Sequence, residues 1–260
     1  MMTPPKILVF EDTYSLTNHF LKQWIDIVHQ ALDARGQFTV ALSGGRTPIE
    51  LYCKFSALKN FELWRNSHVF LTDERFVALD ACDSNFGMIK KNLFDYIDIP
   101  SKNIHPVDTT QKDVSAASQS YEKHLRKFFN INGDGLPAFD LMLLGIGEND
   151  GHTASLFPES EDMYEANKWV LGVEKEYLSR QRISLTFPVI NNTRNIMFLA
   201  CGEHKASIVK RVLECDQSLP ASLVSPVCGQ LTFLLDRKAA KELPYQNSHI
   251  HEGDAVVVTL

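Results

Sequence analysis

The stretch Phe38-Thr-Val-Ala-Leu-Ser-Gly-Gly-Arg-Thr-Pro48, FTVALSGGRTP, changes character after Leu42. Its first five residues are a near-continuous apolar run of strand length. Such a run suits a strand buried on both faces, as in a parallel sheet covered by helices. Two glycines then allow a tight turn. Pro48 opens a predicted helix through about Leu58, because proline in a first helical turn has no N–H to lose. Strand, glycine turn and helix make half of a βαβ unit.

The alternation continues on both sides. Residues 6–10 read as a short strand. Across 13–34 the apolar positions Leu16, Phe20, Trp24, Ile27, Val28 and Ala31 recur at helical spacing, and Gly36 is a stop signal. Further strands are predicted at 68–71, 139–144, 182–187, 195–200 and 231–235, and helices at 85–94, 115–129 and 203–213. Strands of this length alternating with helices indicate an α/β fold: a doubly wound, mostly parallel, Rossmann-like sheet with helices on both faces. There is no internal repeat, and the turn-rich 129–137 reads as a surface loop. Residues 1–260 are therefore read as a single domain.

Composition narrows the function. The chain has 260 residues and a formal charge of −6, without the basic excess of a nucleic-acid binder. An acidic protein can still carry a local basic pocket for a small anion. Its five cysteines, an odd count with no C-x-x-C pair, argue against a disulfide framework or a zinc site. Reduced thiols and a cytoplasmic location are expected. The opening MMTPPKILVFEDTY lacks a signal peptide's apolar region. No apolar run approaches the roughly 20 residues of a membrane span.

Doubly wound sheets bind ligands beyond the carboxyl ends of their strands. Three polar clusters follow predicted strands and should share that rim. In Ser43-Gly44-Gly45-Arg46-Thr47-Pro48, Thr47 is a suitable N-cap, and the backbone donors suit a phosphate; a plain capped turn fits the same residues. In Thr72-Asp73-Glu74-Arg75, Arg75 is a candidate oxyanion or phosphate contact. Asp73 either orients Arg75 or accepts a substrate hydroxyl; solvated charges at a strand end are the alternative. In Gly145-Ile-Gly-Glu-Asn-Asp-Gly-His152, the next glycine after Gly147 is Gly151, so a dinucleotide fingerprint fails on spacing. His152 can exchange a proton near neutral pH, and Asp150 is placed to orient its ring. No G-x-S-x-G motif supports a covalent nucleophile. Arg182 opens a predicted strand. Lys205 sits in a predicted first helical turn, where the helix dipole does not favour a cation; it is either solvated or a ligand contact.

Together SGGRTP (43–48), TDERFV (72–77), DSNFG (83–87), GIGENDGHTASLFP (145–158), RISLTFPVIN (182–191) and CGEHKA (201–206) resemble the 6-phosphogluconolactonase family along nearly the whole chain. That family shares its fold with the glucosamine-6-phosphate deaminases. The deaminases have a glutamate where this chain has Phe157, and Asp-Glu-Tyr where it has Asp73-Glu74-Arg75; both differences favour the lactonase. The resemblance implies hydrolysis of 6-phospho-D-glucono-1,5-lactone, with no metal and no organic cofactor. It implies a small sugar-phosphate lactone as the partner; the charge and hydropathy argue against nucleic acid and membrane, and a monomer or weak homo-oligomer is expected. His152 is then the general base, with Asp150 and Asp73 orienting and Arg75 or a loop N–H stabilising the carbonyl oxygen. Ser43, Gly44, Gly45 and Thr47 hold the phosphate, with Arg182 and Lys205 as cationic contacts by resemblance. An amino-sugar phosphate deaminase or isomerase, and a sugar-phosphate sensing module without catalysis, are the alternatives.

Overall fold

Asp12 starts the longest helix, its side chain accepting from the Ser15 N–H at 2.8 Å, and Gly36 ends it in a left-handed conformation at φ 71°. The computed structural model describes residues 4–58, 61–244, 251–252 and 254–258. The remaining positions, including the ends of the expected 1–260 unit, lie outside the described residues. The first half runs β1 (Lys6–Phe10), α1 (Thr13–Arg35), β2 (Phe38–Leu42), α2 (Ile49–Phe55), α3 (Phe61–Arg65), β3 (Ser67–Leu71), β4 (Asp73–Arg75), α4 (Asn85–Asn92), β5 (Ile104–His105) and α5 (Val114–Phe128). The second runs β6 (Leu141–Leu144), β7 (Val170–Val173), β8 (Arg182–Leu185), α6 (Phe187–Asn191), β9 (Asn195–Ala200), α7 (Ala206–Leu213), β10 (Gln230–Asp236), β11 (His251–Glu252) and β12 (Ala255–Val258).

Among the described residues the main sheet has nine strands in the order β11-β12-β1-β10-β9-β6-β2-β3-β5. The seven from β1 to β5 pair in parallel; β12 and β11 add an antiparallel edge. Every residue of β2 and β6 is buried, so both faces of the sheet are covered, as the apolar runs predicted. Trp24 of α1 carries one side of that core, its ring centroid 5.0 Å from Phe38, 4.4 Å from Phe55 and 6.0 Å from Trp64. At the amino end of the strands, buried Asp140 accepts from the Thr39 N–H at 2.9 Å and pairs with Arg35 at 2.7 Å, fixing β6 beside β2.

The order places the site. From β2 the chain winds outward through β3 to β5, then crosses back to β6 and proceeds the other way. The direction reverses between β2 and β6, and at such a switch point the loops leaving neighbouring strands diverge and open a crevice. Those loops are the glycine turn after Leu42 and the Gly145–His152 loop.

Several expectations need correction. The predicted strand 182–187 is shorter, Arg182–Leu185, and lies outside the main sheet. It is the centre of a small antiparallel sheet, β4-β8-β7. Asp73–Arg75 is a strand of that sheet and not a solvated strand end, because Thr72 bends the chain out of β3 while its carbonyl still accepts from the Leu185 N–H at 2.9 Å. Thr47 does not cap α2: the helix begins one residue later than expected, Pro48 occupies the cap position, and no side chain caps it. The helix predicted over 203–213 opens as a 3-10 turn, Glu203–Lys205, so Lys205 precedes the α-helical residues.

Candidate active site

The glycine turn is held from below. The buried Tyr52 hydroxyl donates to the Ser43 carbonyl at 2.6 Å, leaving the turn's outer edge free. Gly45 is left-handed, at φ 93°, a conformation a side chain would strain. Thr47, freed from capping, borders the cleft.

Strand alternation sets the second group. Asp73 and Arg75 face one side of β4 and Glu74 the other. Asp73 is buried; its Oδ1 accepts from the Thr72 hydroxyl at 3.1 Å and its Oδ2 from the Ser155 hydroxyl at 2.8 Å. It forms no ion pair with Arg75 among the described residues. Two residues apart on one strand face, the side chains run side by side. Across the ladder Arg75 stands directly opposite Arg182. Like charges in facing positions destabilise a strand pair, so this geometry favours an anion between them. Burial first, then the facing Arg75 guanidinium, push Arg182 below its usual range.

The Gly145–His152 loop closes on itself, with Gly147 N–H donating to the His152 carbonyl at 2.7 Å and Gly151 N–H to the Gly147 carbonyl at 3.1 Å. His152 Nδ1 meets Asp150 Oδ1 at 2.7 Å. An ionised carboxylate only accepts, so Nδ1 carries the proton and Nε2 presents its lone pair. Burial pushes Asp150 upward, but the hydrogen bonds and charge of His152 outweigh it and hold the carboxyl below its ordinary value. A Cβ on Gly147 would lie 2.1 Å from His152 Nδ1, so only glycine leaves room for the pair. The Phe157 ring backs the imidazole, centroids 4.8 Å apart.

Lys205 crosses to this loop, its Nζ donating to the Ile146 carbonyl at 2.5 Å. Burial lowers its pKa, Arg46 lowers it further, and Glu148 and Asp150 oppose them. The Lys205 ammonium thus lies between the glycine turn and the His152 loop.

These elements enclose one cleft of about 710 Å³. Ser43, Gly44, Gly45, Thr47, Asp73, Arg75, His152, Arg182 and Lys205 all line it. Asp150 stands behind His152 and reaches the cleft only through it. Sequence reasoning passed over Arg46, Asn85, Glu148 and His204, which also line the cleft. All four lie inside the quoted motifs, and a polar residue beside a glycine was the signal available for Arg46 and Glu148. Asn85 gave none, since only the packing of α4 against β4 brings it in. Cys201 is also present, but burial, and then Asp236, push its thiol up to about 12, so it is not a nucleophile at neutral pH. A base with a free lone pair, facing guanidinium groups and a donor-lined turn can bind an anionic substrate and activate water beside it.

A family model described as glucosamine-6-phosphate isomerases/6-phosphogluconolactonase matches residues 11–233. The chain belongs to that family. It is 40% identical to the 6-phosphogluconolactonase of Synechocystis sp. over 220 residues, 83% of this chain and 89% of the relative. It is 36% identical to that of Homo sapiens over 219 residues, 81% of this chain and 82% of the relative. The solved 6-phosphogluconolactonase of Trypanosoma brucei superposes with a TM-score of 0.81 at 28% identity, covering 94% of this chain and 100% of the other. A monomeric glucosamine-6-phosphate deaminase superposes with a TM-score of 0.72 at 20% identity, covering 91% and 99%, a likeness of fold alone. In this chain the glycine turn, the Asp-Glu-Arg strand and the His152 loop border one crevice at the sheet's switch point.

Proposed function

We propose that the chain hydrolyses 6-phospho-D-glucono-1,5-lactone to 6-phosphogluconate, the second step of the oxidative pentose phosphate pathway. The observation that carries this is the His152–Asp150 pair, at 2.7 Å, opening into the cleft that the glycine turn also lines. The names of the relatives support the substrate. Phe157 favours the lactonase over the deaminase, because a buried hydrocarbon ring now backs His152 where the deaminase pattern has a glutamate.

The substrate's phosphate lies on the Ser43–Thr47 turn, with Arg182 and Lys205 supplying positive charge. Water sits between His152 Nε2 and the lactone carbonyl carbon. Nε2 takes a proton as the water oxygen bonds to that carbon, and the carbonyl electron pair moves onto its oxygen. Arg75 or a loop N–H meets that developing charge. The tetrahedral intermediate collapses, the ring C–O bond breaks, and the imidazolium returns its proton to the departing oxygen. Asp150 keeps the ring in the accepting tautomer and stabilises the transient imidazolium; Asp73 accepts from a substrate hydroxyl. A positioned base contributes about 10²–10⁴ in rate, and orientation and charge supply the rest.

The same reading takes 1–260 as one domain, supported by a hydrophobic core that, among the described residues, spans both sheets. It takes the protein as cytoplasmic and as a monomer or weak homo-oligomer; no described helix is long and apolar enough to cross a membrane. The test is a rapid assay on freshly formed lactone with the uncatalysed opening subtracted. A rate no greater than the spontaneous one overturns the proposal, and ammonia release from glucosamine 6-phosphate would replace it with the deaminase.

A further inference from the structure

Glu74 and Asn85 have no part in the chemistry described, yet both are buried at its centre, 0% and 1% exposed. Glu74 points away from the cleft, on the side of β4 opposite Asp73 and Arg75. Its carboxylate accepts from the backbone N–H of Arg75 at 2.7 Å, Asn85 at 2.6 Å and Phe86 at 2.7 Å, and from the Ser84 hydroxyl at 3.1 Å. Burial raises the pKa of this carboxyl above its ordinary value, and the donors oppose that shift only in part. Two of them are free N–H groups at the start of α4, where the helix dipole also favours negative charge.

Asn85 carries the connection onward. Its Nδ2 donates to the Asp73 carbonyl at 2.8 Å, and its carboxamide fills the space above the phosphate turn. A Cβ on Gly44 would lie 1.7 Å from Asn85 Oδ1 and 2.2 Å from its Cγ. Asn85 Oδ1 is buried with no hydrogen-bond partner among the described residues, a state that costs stability. The oxygen is therefore held by the Nδ2 bond and by packing, not by a bond of its own.

We propose that Glu74 and Asn85 are positioning residues, a brace that fixes the Ser43–Thr47 turn at a set distance from Asp73 and Arg75. Glu74 locks α4 to β4, Asn85 locks both to Gly44, and a ligand is then met at its two ends at once. Errors of about 1 Å in such spacing can cost about 100-fold. The inference rests on the reading of the turn as the phosphate cradle.

The test is a double-mutant cycle between Gly44→Ala and Asn85→Ala, with 6-phosphogluconate as the probe. Gly44 does not have a positive φ, so alanine is resisted there by Asn85 and not by the backbone. Calorimetry should show Gly44→Ala weakening binding about 100-fold and Asn85→Ala about tenfold. The double variant should bind no worse than Asn85→Ala alone, a coupling of about 100-fold, about 2.8 kcal/mol. Glu74→Gln, neutral and short of an acceptor, should weaken binding about tenfold in folded protein. A role in folding alone would lower the thermal midpoint and leave the Kd of folded protein unchanged. If wild type does not bind 6-phosphogluconate, the cradle reading fails. If wild type binds and the two losses simply multiply, the brace fails while the cradle stands. Should Gly44→Ala not fold, wild-type Kd values for both Asn85→Ala and Glu74→Gln overturn the brace.

Discussion

Asp150→Asn probes the base most directly, because it changes charge and hydrogen-bonding pattern without changing size. In the native pair Asp150 Oδ1 accepts from Nδ1 of His152 at 2.7 Å, with the two side chains 35% and 37% exposed. As His152 takes the proton from water, a positive charge forms about 4 Å from the carboxylate charge. At that separation the attraction is about 4 kcal/mol for an effective dielectric near 20 and about 1 kcal/mol in water. A pair one-third exposed lies between these limits, so losing the charge should cost about 2–3 kcal/mol. That corresponds to about a 30- to 150-fold loss in kcat. The loss deepens toward about 10⁴-fold if the amide nitrogen faces Nδ1, because the ring then protonates at Nε2 and cannot accept. The affinity for 6-phosphogluconate should stay within about threefold, since Asp150 does not line the cleft. The assay is initial-rate hydrolysis of fresh lactone at several concentrations, with the spontaneous rate subtracted. A kcat within about threefold of wild type would refute the assignment of the pair.

Other substitutions separate binding from chemistry. His152→Ala should lower kcat by about 10²–10⁴ with 6-phosphogluconate affinity nearly unchanged, read from kinetics and calorimetry together. Arg182→Ala and Lys205→Ala should instead raise KM by about tenfold or more, with the smaller change in kcat. Gly147→Ala places a Cβ 2.1 Å from His152 Nδ1 and 2.4 Å from Asp150 Oδ1, so kcat should fall at least about tenfold; an unchanged kcat would show that the pair can move freely. Away from the cleft, His105 meets His68 at 3.1 Å and His124 at 2.8 Å, and burial, then His124, then His68, depress its pKa to about 3. Its unfolded form takes up a proton near 6.5, so stability is full above that pH and declines as pH falls from there toward about 3. Between pH 6.5 and 5 the loss should reach about 2 kcal/mol, and denaturant midpoints of His105→Phe should show correspondingly less acid sensitivity.

The sequence by itself determined the α/β class and most of the parallel sheet. Apolar runs such as FTVAL and LMLL have only one way to bury both faces, and the strands 6–10, 38–42 and 195–200 appear where they were read. It also marked Ser43, Gly44, Gly45, His152 and Asp150, because glycines, a histidine and a carboxylate after a buried strand are a local pattern. The small sheet escaped it. Asp73–Arg75 has no apolar alternation, and its pairing with Arg182–Leu185 joins residues more than a hundred positions apart. Only the tertiary structure could decide that Arg75 faces Arg182, that Asp73 turns to Ser155 and not to Arg75, and that Asn85 stands over Gly44. Periodicity reports which face of an element is buried; which element lies across from it depends on strand order and crossover, and at the β2–β6 switch point those relations build the cleft.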